Sequence, residues 1–60
     1  MTADEIKKLR LSLNISQEDF ARLLNVGVAT VNRWENNHNK PSRLAIQQLN
    51  IIREKTQEKV

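Results

Sequence analysis

Between Ile15 and Glu35 the chain sets two short helical patterns around a turn of three residues, Asn25-Val26-Gly27, and no other stretch of its sixty residues restricts the fold so tightly. The segment reads ISQEDFARLLNVGVATVNRWE. Phe20, Leu23 and Leu24 give the first pattern one face to bury. Val28, Val31, Trp34 and Glu35 share the inner side of the second, at the spacings of three, four and seven that mark a helix. Two apolar faces so close in sequence must pack against one core. The polar face left over on the second carries no acid.

The ends of these helices are also written locally. Ser16 predicts an N-cap, with Asp19 at the third helical position and both Glu18 and Asp19 in the positive first turn. Ile15 before the cap and Phe20 at the fourth position match a hydrophobic staple, which fixes the angle of chain entry. Asn25 suits positive φ, Val26 points inward, and Gly27 is acceptable as the next N-cap. The pattern predicts helices over about 17–24 and 28–36.

An earlier helix is predicted over about 3–13. Thr2 and Glu5 have the spacing of a capping box, and Ala3, Ile6, Leu9 and Leu13 form its stripe. Asn14 ends it, because Asn tolerates the left-handed conformation found just past a helix C-terminus. Arg10 falls on the same inner stripe, and Glu35 falls on the inner side of the 28–36 helix. A single charge buried there costs several kcal/mol, on the order of the penalty for any unpaired ion. The economical solution is a structural ion pair between Arg10 and Glu35. The alternative is that both reach water from the edge of the core along their aliphatic stems.

Beyond the pair, Asn36 to Pro41 is a polar turn with strong breaker chemistry. Ser42 then caps a last helix predicted over about 43–56, with Ala45, Leu49 and Ile52 as its core stripe. Leu44 and Ile51 flank that stripe and Ile46 lies beyond its other edge. Such a surplus fits either wide burial in a small domain or a partner surface, and a homodimer through this helix is the expected partner. The charge-mixed stretch from Arg53 to Val60 is expected to fray.

Composition closes off most other classes. One Gly, one Pro and no Cys leave little turn chemistry for a sheet and exclude disulfides and thiolate metal sites. The expected fold is all-α, a compact four- to five-helix bundle containing a helix-turn-helix, in one domain over residues 1–60. No apolar run approaches a membrane span and the N-terminus lacks a signal-peptide core, so the chain reads as soluble and cytoplasmic. His38, the one histidine, has no Cys, second His or acid at ligand spacing and reads as an exposed loop residue and not as a metal ligand. The chain lacks a nucleophile, base and orienter set, and neither catalysis nor a cofactor is expected.

Charge placement points to a partner. The net charge is +3, and the whole of it falls between Phe20 and Arg43, where Arg22, Arg33, Lys40 and Arg43 face the single acid Glu35. The outer side of the 28–36 helix shows Gly27, Val28, Ala29, Asn32, Arg33 and Asn36. Asn32 has the chemistry to bond bidentately to adenine, Arg33 to guanine O6 and N7, and Val28 or Ala29 to pack on a thymine methyl. Thr30 lies beside this face, within reach of a phosphate. Taken alone, the same residues also make an ordinary solvated helix face.

The combination Ser16-Gln17-Glu18-Asp19-Phe20-Ala21, Leu23-Leu24-Asn25-Val26, Thr30-Val31, Arg33-Trp34-Glu35-Asn36 and Pro41-Ser42 resembles the lambda repressor/Cro-like (XRE) helix-turn-helix family over roughly residues 4 to 52. The resemblance implies that the 28–36 helix lies in the major groove of operator DNA while the 17–24 helix crosses the backbone. It further implies phosphate contacts from Gln17, Asn36, Lys40 and Arg43, and a structural Arg10–Glu35 pair. Two positions depart from the pattern. Asn25 stands where the family often has Gly, which keeps the backbone requirement, and Gly27 stands where it often has Ser or Thr, which removes a hydroxyl.

The reading that follows is sequence-specific binding of double-stranded DNA by a bacterial or phage transcriptional regulator that represses by occupying an operator. Two alternatives stand beside it. One is an antitoxin that holds a toxin through the last helix and represses its own operon. The other is a helical adaptor that binds protein and no DNA.

Overall fold

The computed structural model describes residues 1–57. Over that range the chain forms four helices and no strand: α1 Ala3–Ser12, α2 Gln17–Leu24, α3 Val28–Glu35 and α4 Arg43–Gln57. Of the stretch expected to fray, Arg53 to Gln57 continue α4, and residues 58–60 lie outside the described residues.

Helices α1, α2 and α4 each start on a residue whose side chain satisfies an orphan backbone donor. Glu5 N donates to Thr2 Oγ1 at 3.1 Å while Thr2 N donates to Glu5 Oε1 at 2.8 Å, a reciprocal capping box on α1. Asp19 N donates to Ser16 Oγ at 3.1 Å on α2, and Ala45 N to Ser42 Oγ at 3.2 Å on α4. Helix α3 differs, because its N-cap is Gly27 and no side chain bonds there.

Helix ends follow one device used three times. Asn14, Asn25 and Asn37 all take positive φ, at 58°, 58° and 61°. Past α2, Val26 N donates to Ala21 O at 2.9 Å and Asn25 N to Arg22 O at 3.1 Å; past α3, His38 N donates to Arg33 O at 2.9 Å and Asn37 N to Trp34 O at 3.2 Å. Both are Schellman ends with Asn in the place usually held by Gly. Leu13 and Asn36 serve as C-cap residues, so α1 and α3 each stop one residue before the expected boundary.

The core joins Ile6 and Leu9 of α1, Phe20, Ala21 and Leu24 of α2, Val31 and Trp34 of α3, and Ala45 and Leu49 of α4. Met1, Leu13, Ile15, Val26 and Ile52 pack around it, partly buried. Two expectations are overturned. Leu23 is 57% exposed, because the buried arc of α2 centres on Phe20, Ala21 and Leu24 and leaves Leu23 at its flank. Val28 is 44% exposed, because the buried arc of α3 begins at Val31 and the first turn projects past the core. Leu44 and Ile51 are also exposed, whereas Ile46 is half-buried.

Candidate nucleic-acid interface

The interface is set up by the short turn between α2 and α3. Asn25 in the left-handed region reverses the chain within one residue, and Val26 anchors that reversal by packing against the core. Gly27 adopts φ −75°, an ordinary extended conformation, so its small size is not needed by the backbone there. Helix α3 is thereby held with Val31 and Trp34 buried and Val28, Ala29, Asn32, Arg33 and Asn36 exposed. Those five positions recur at intervals of three and four and share one face. Thr30 is half-buried beside them.

The one acid of this region is withdrawn from that face. Arg10 Nε donates to Glu35 Oε2 at 2.7 Å and Arg10 Nη2 to Glu35 Oε1 at 3.0 Å, and the two side chains are only 12% and 3% exposed. The remaining Arg10 nitrogen, Nη1, donates to Ile15 O at 3.0 Å, which ties the α1–α2 connection to the same guanidinium. Burial would push the Glu35 carboxyl up, but the hydrogen bonds from Arg10 and Gln17 and the Arg10 charge outweigh it and hold the group below its ordinary value. The bond to Glu35 raises Arg10 in turn, against the opposing effect of burial.

Gln17 opens α2 and is half-buried. Its Nε2 donates to Glu35 Oε1 at 3.0 Å, and its Oε1 accepts from Asn32 Nδ2 at 3.4 Å. Sequence reasoning placed Gln17 toward phosphate and missed this inward bond. The available signal was that Glu35, once sent inward, has two oxygens and more lone pairs than Arg10 alone fills. Asn36 Nδ2 donates to Asn32 O at 2.8 Å, which fastens the last turn of α3.

Among the described residues, Arg33, Lys40 and Arg43 have no ion-pair partner and all three are exposed, while Arg22 pairs with Asp19 at 3.2 Å. Lys40 stands in the connection after α3 and Arg43 at the first position of α4. Acids lie elsewhere: Asp4 and Glu5 in the first turn of α1, Glu18 and Asp19 in that of α2. His38 is exposed in the same connection. None of the described helices is long and apolar enough to cross a membrane.

A helix-turn-helix family model matches residues 6–51, which takes in α1 from Ile6 onward, all of α2 and α3, and α4 as far as Ile51. Relatives in Escherichia coli, from strain K12 and from the O157:H7 type, are described as an uncharacterized HTH-type transcriptional regulator, YiaG; each is 40% identical over 48 residues, covering 80% of this chain. The chain spans 50% of the length of those relatives. No solved structure matches it at a significant level.

Proposed function

The chain belongs to the helix-turn-helix family, and on that premise we propose that it binds a specific double-stranded DNA site and represses transcription by occupying it. The carrying observation is the outer face of α3, where Val28, Ala29, Asn32 and Arg33 are exposed while the neighbouring acid Glu35 is buried against Arg10. In this reading α3 enters the major groove. Asn32 and Arg33 meet base edges, and Val28 and Ala29 lie close to thymine methyl groups. Gln17, Thr30, Asn36, Lys40 and Arg43 stand on the flanks and contact the backbone. Two copies bind as a homodimer, with α4 as the contact between them. The regulator is a bacterial or phage one and works in the cytoplasm.

Selection of bound sites from random duplexes tests the proposal. The expected product is a short consensus, repeated as two half-sites about one helical turn or a multiple of it apart. Absence of any binding to random duplex at low salt overturns it, since a basic groove-binding helix retains a sequence-independent affinity there.

The exposed Leu44 and Ile51 favour a second reading in which α4 meets a different protein, such as a toxin whose operon the chain also represses. Co-purification with a small partner from the source cells, in place of self-association, distinguishes it. An adaptor that meets protein alone is the outcome in which DNA binding is absent altogether.

A further inference from the structure

We infer that Lys7, on α1, is a further contact to the DNA backbone: it meets a phosphate on the flank of α3 where Glu35 and Asn36 stand. This contact rests on the DNA-binding reading above and brings α1 into the surface that holds the duplex.

The Glu35 carboxylate lies directly behind the outer face of α3. Gln17 Nε2 donates to Glu35 Oε1 at 3.0 Å, and the other end of the same amide, Oε1, accepts from Asn32 Nδ2 at 3.4 Å. The buried acid and an exposed residue of that face are thus a single side chain apart. Arg10 reaches the acid from α1, and Lys7 stands one turn before Arg10 on that helix, three residues away and about 60° around its axis. Lys7 is exposed where Arg10 is half-buried. Burial opposes the charge of Glu35, the hydrogen bonds of Arg10 and Gln17 favour it, and the charges of Arg10 and then Lys7 add to them. Lys7 makes no bond to the carboxylate, so its charge acts there from the solvent side.

This cluster holds one cation more than it needs. Arg10 and Glu35 cancel, with Nε on Oε2 at 2.7 Å. Asp4, the one acid three or four residues from Lys7 on α1, is taken by Lys8 at 3.1 Å. Among the described residues Lys7 has no ion-pair partner. A lysine carries a compact charge with three donors on a flexible stem, and it reaches a phosphate oxygen without a fixed pocket. Asn36, exposed and next to Glu35, stands on the same flank. A phosphate held there is offered an ammonium from α1 with no acid of the helix competing for it.

Affinities of the wild-type chain, Lys7→Met, Lys7→Arg and Lys8→Met for the selected site and for a random duplex, each over a salt series, test the contact. A phosphate carries no sequence information, so Lys7→Met is expected to weaken both duplexes by the same factor and to lower the slope of log affinity against log salt by about 0.9. Its deficit then shrinks about 3.5-fold between roughly 50 and 200 mM salt. Lys7→Arg is expected to keep the wild-type slope. Lys8→Met, which removes the same charge one position along, is expected to keep it too. A Lys7→Met slope equal to that of the wild type overturns the inference, and so does an equal fall for Lys8→Met, which means that net charge alone is felt. A loss confined to the melting temperature, with both affinities intact, makes Lys7 a support for the Glu35 charge and overturns it as well. If Lys7→Met does not melt cooperatively, Lys7→Gln carries the same comparison. A wild-type chain that binds neither duplex overturns the DNA-binding reading itself, whereas wild-type binding that is indifferent to Lys7 overturns the contact alone.

Discussion

Arg10 and Glu35 meet edge to edge across the gap between α1 and α3, with Nε on Oε2 at 2.7 Å and Nη2 on Oε1 at 3.0 Å. Twenty-five residues separate them in the chain, and the side chain of Glu35 is 3% exposed. Removing one partner leaves the other charge buried and alone, which costs more than the pair itself contributes. Glu35→Ala is expected to destabilise by about 3–5 kcal/mol, while replacing both Arg10 and Glu35 by apolar residues of similar volume is much milder. Thermal melts of the three proteins decide this, with Glu54→Ala on the exposed side of α4 as the reference. A Glu35→Ala shift no larger than that reference counts against a buried pair.

The same pair sets an acid limit. Glu35 is held below its ordinary value near 4.5, so the folded state takes up its proton less readily than the unfolded chain does. Its contribution is therefore complete above that ordinary value and is lost as pH falls through the lowered one. Glu5, bonded to the backbone and side chain of Thr2, shifts in the same direction. The melting temperature is expected to fall as pH drops below about 4.5, and more shallowly in Glu35→Gln, whose amide takes up no proton in this range. Parallel acid limbs for the two proteins would exclude Glu35 as a source of the slope.

The turn between α2 and α3 gives two opposite expectations at neighbouring positions. Asn25 sits at φ 58°, where a residue with an ordinary Cβ is strained, so Asn25→Ala should lose about 1 kcal/mol and Asn25→Gly little. Gly27 sits at φ −75° with no side-chain cap, and a Cβ built there meets only Thr30 Oγ1, at 4.0 Å. Gly27→Ser should therefore gain about 0.5–1 kcal/mol, from a capping hydroxyl and a less flexible unfolded chain. Denaturant midpoints that move in the same direction for Asn25→Ala and Gly27→Ser would contradict this account of the turn.

These contrasts show which parts of the molecule could be read in advance. Caps such as Thr2 with Glu5 and Ser16 with Asp19 depend on residues three apart, and nothing distant decides them. Burial at the edge of a stripe does not work that way. Leu23 and Val28 have the right spacing to face inward, yet which part of each arc is covered depends on how the helices lean on one another, and both are exposed. The inward direction of Arg10 and Glu35 was legible from helical phase because two stranded charges suggest each other. The link from Glu35 through Gln17 to Asn32 was not, since it joins the first residue of α2 to the middle of α3 and its polarity is fixed only once α1 is in place.

Leu44 and Ile51 bear on assembly. Both are more than half exposed, so replacing them by Ser has little core to disturb. If α4 joins two copies, the Leu44→Ser/Ile51→Ser variant should melt within about 1 kcal/mol of the wild type at low concentration, yet remain monomeric where the wild type associates. Sedimentation over a hundredfold range of concentration, an interval of about 2.7 kcal/mol in association free energy, reads this directly. Equal masses for the two proteins at every concentration would remove α4 as the contact.

Arg33 and Arg43 should fail in different ways if α3 reads bases. Both are exposed cations without an ion-pair partner among the described residues, but Arg33 lies on the outer face of α3 in its last turn and Arg43 at the start of α4, beyond the connection. A guanidinium on guanine O6 and N7 is lost together with the preference for that base, so Arg33→Ala should cost about 1–3 kcal/mol on the selected site and relax one base pair. A guanidinium on a phosphate carries no sequence information. Arg43→Ala should weaken every duplex alike and reduce the slope of log affinity against log salt by about one. Affinities of both variants for the selected and a random duplex, each over a salt series, separate the two roles. An Arg33→Ala variant that loses as much on random DNA as on the selected site, with a shallower salt slope, would move Arg33 from the bases to the backbone and leave Asn32 as the principal polar reader on α3.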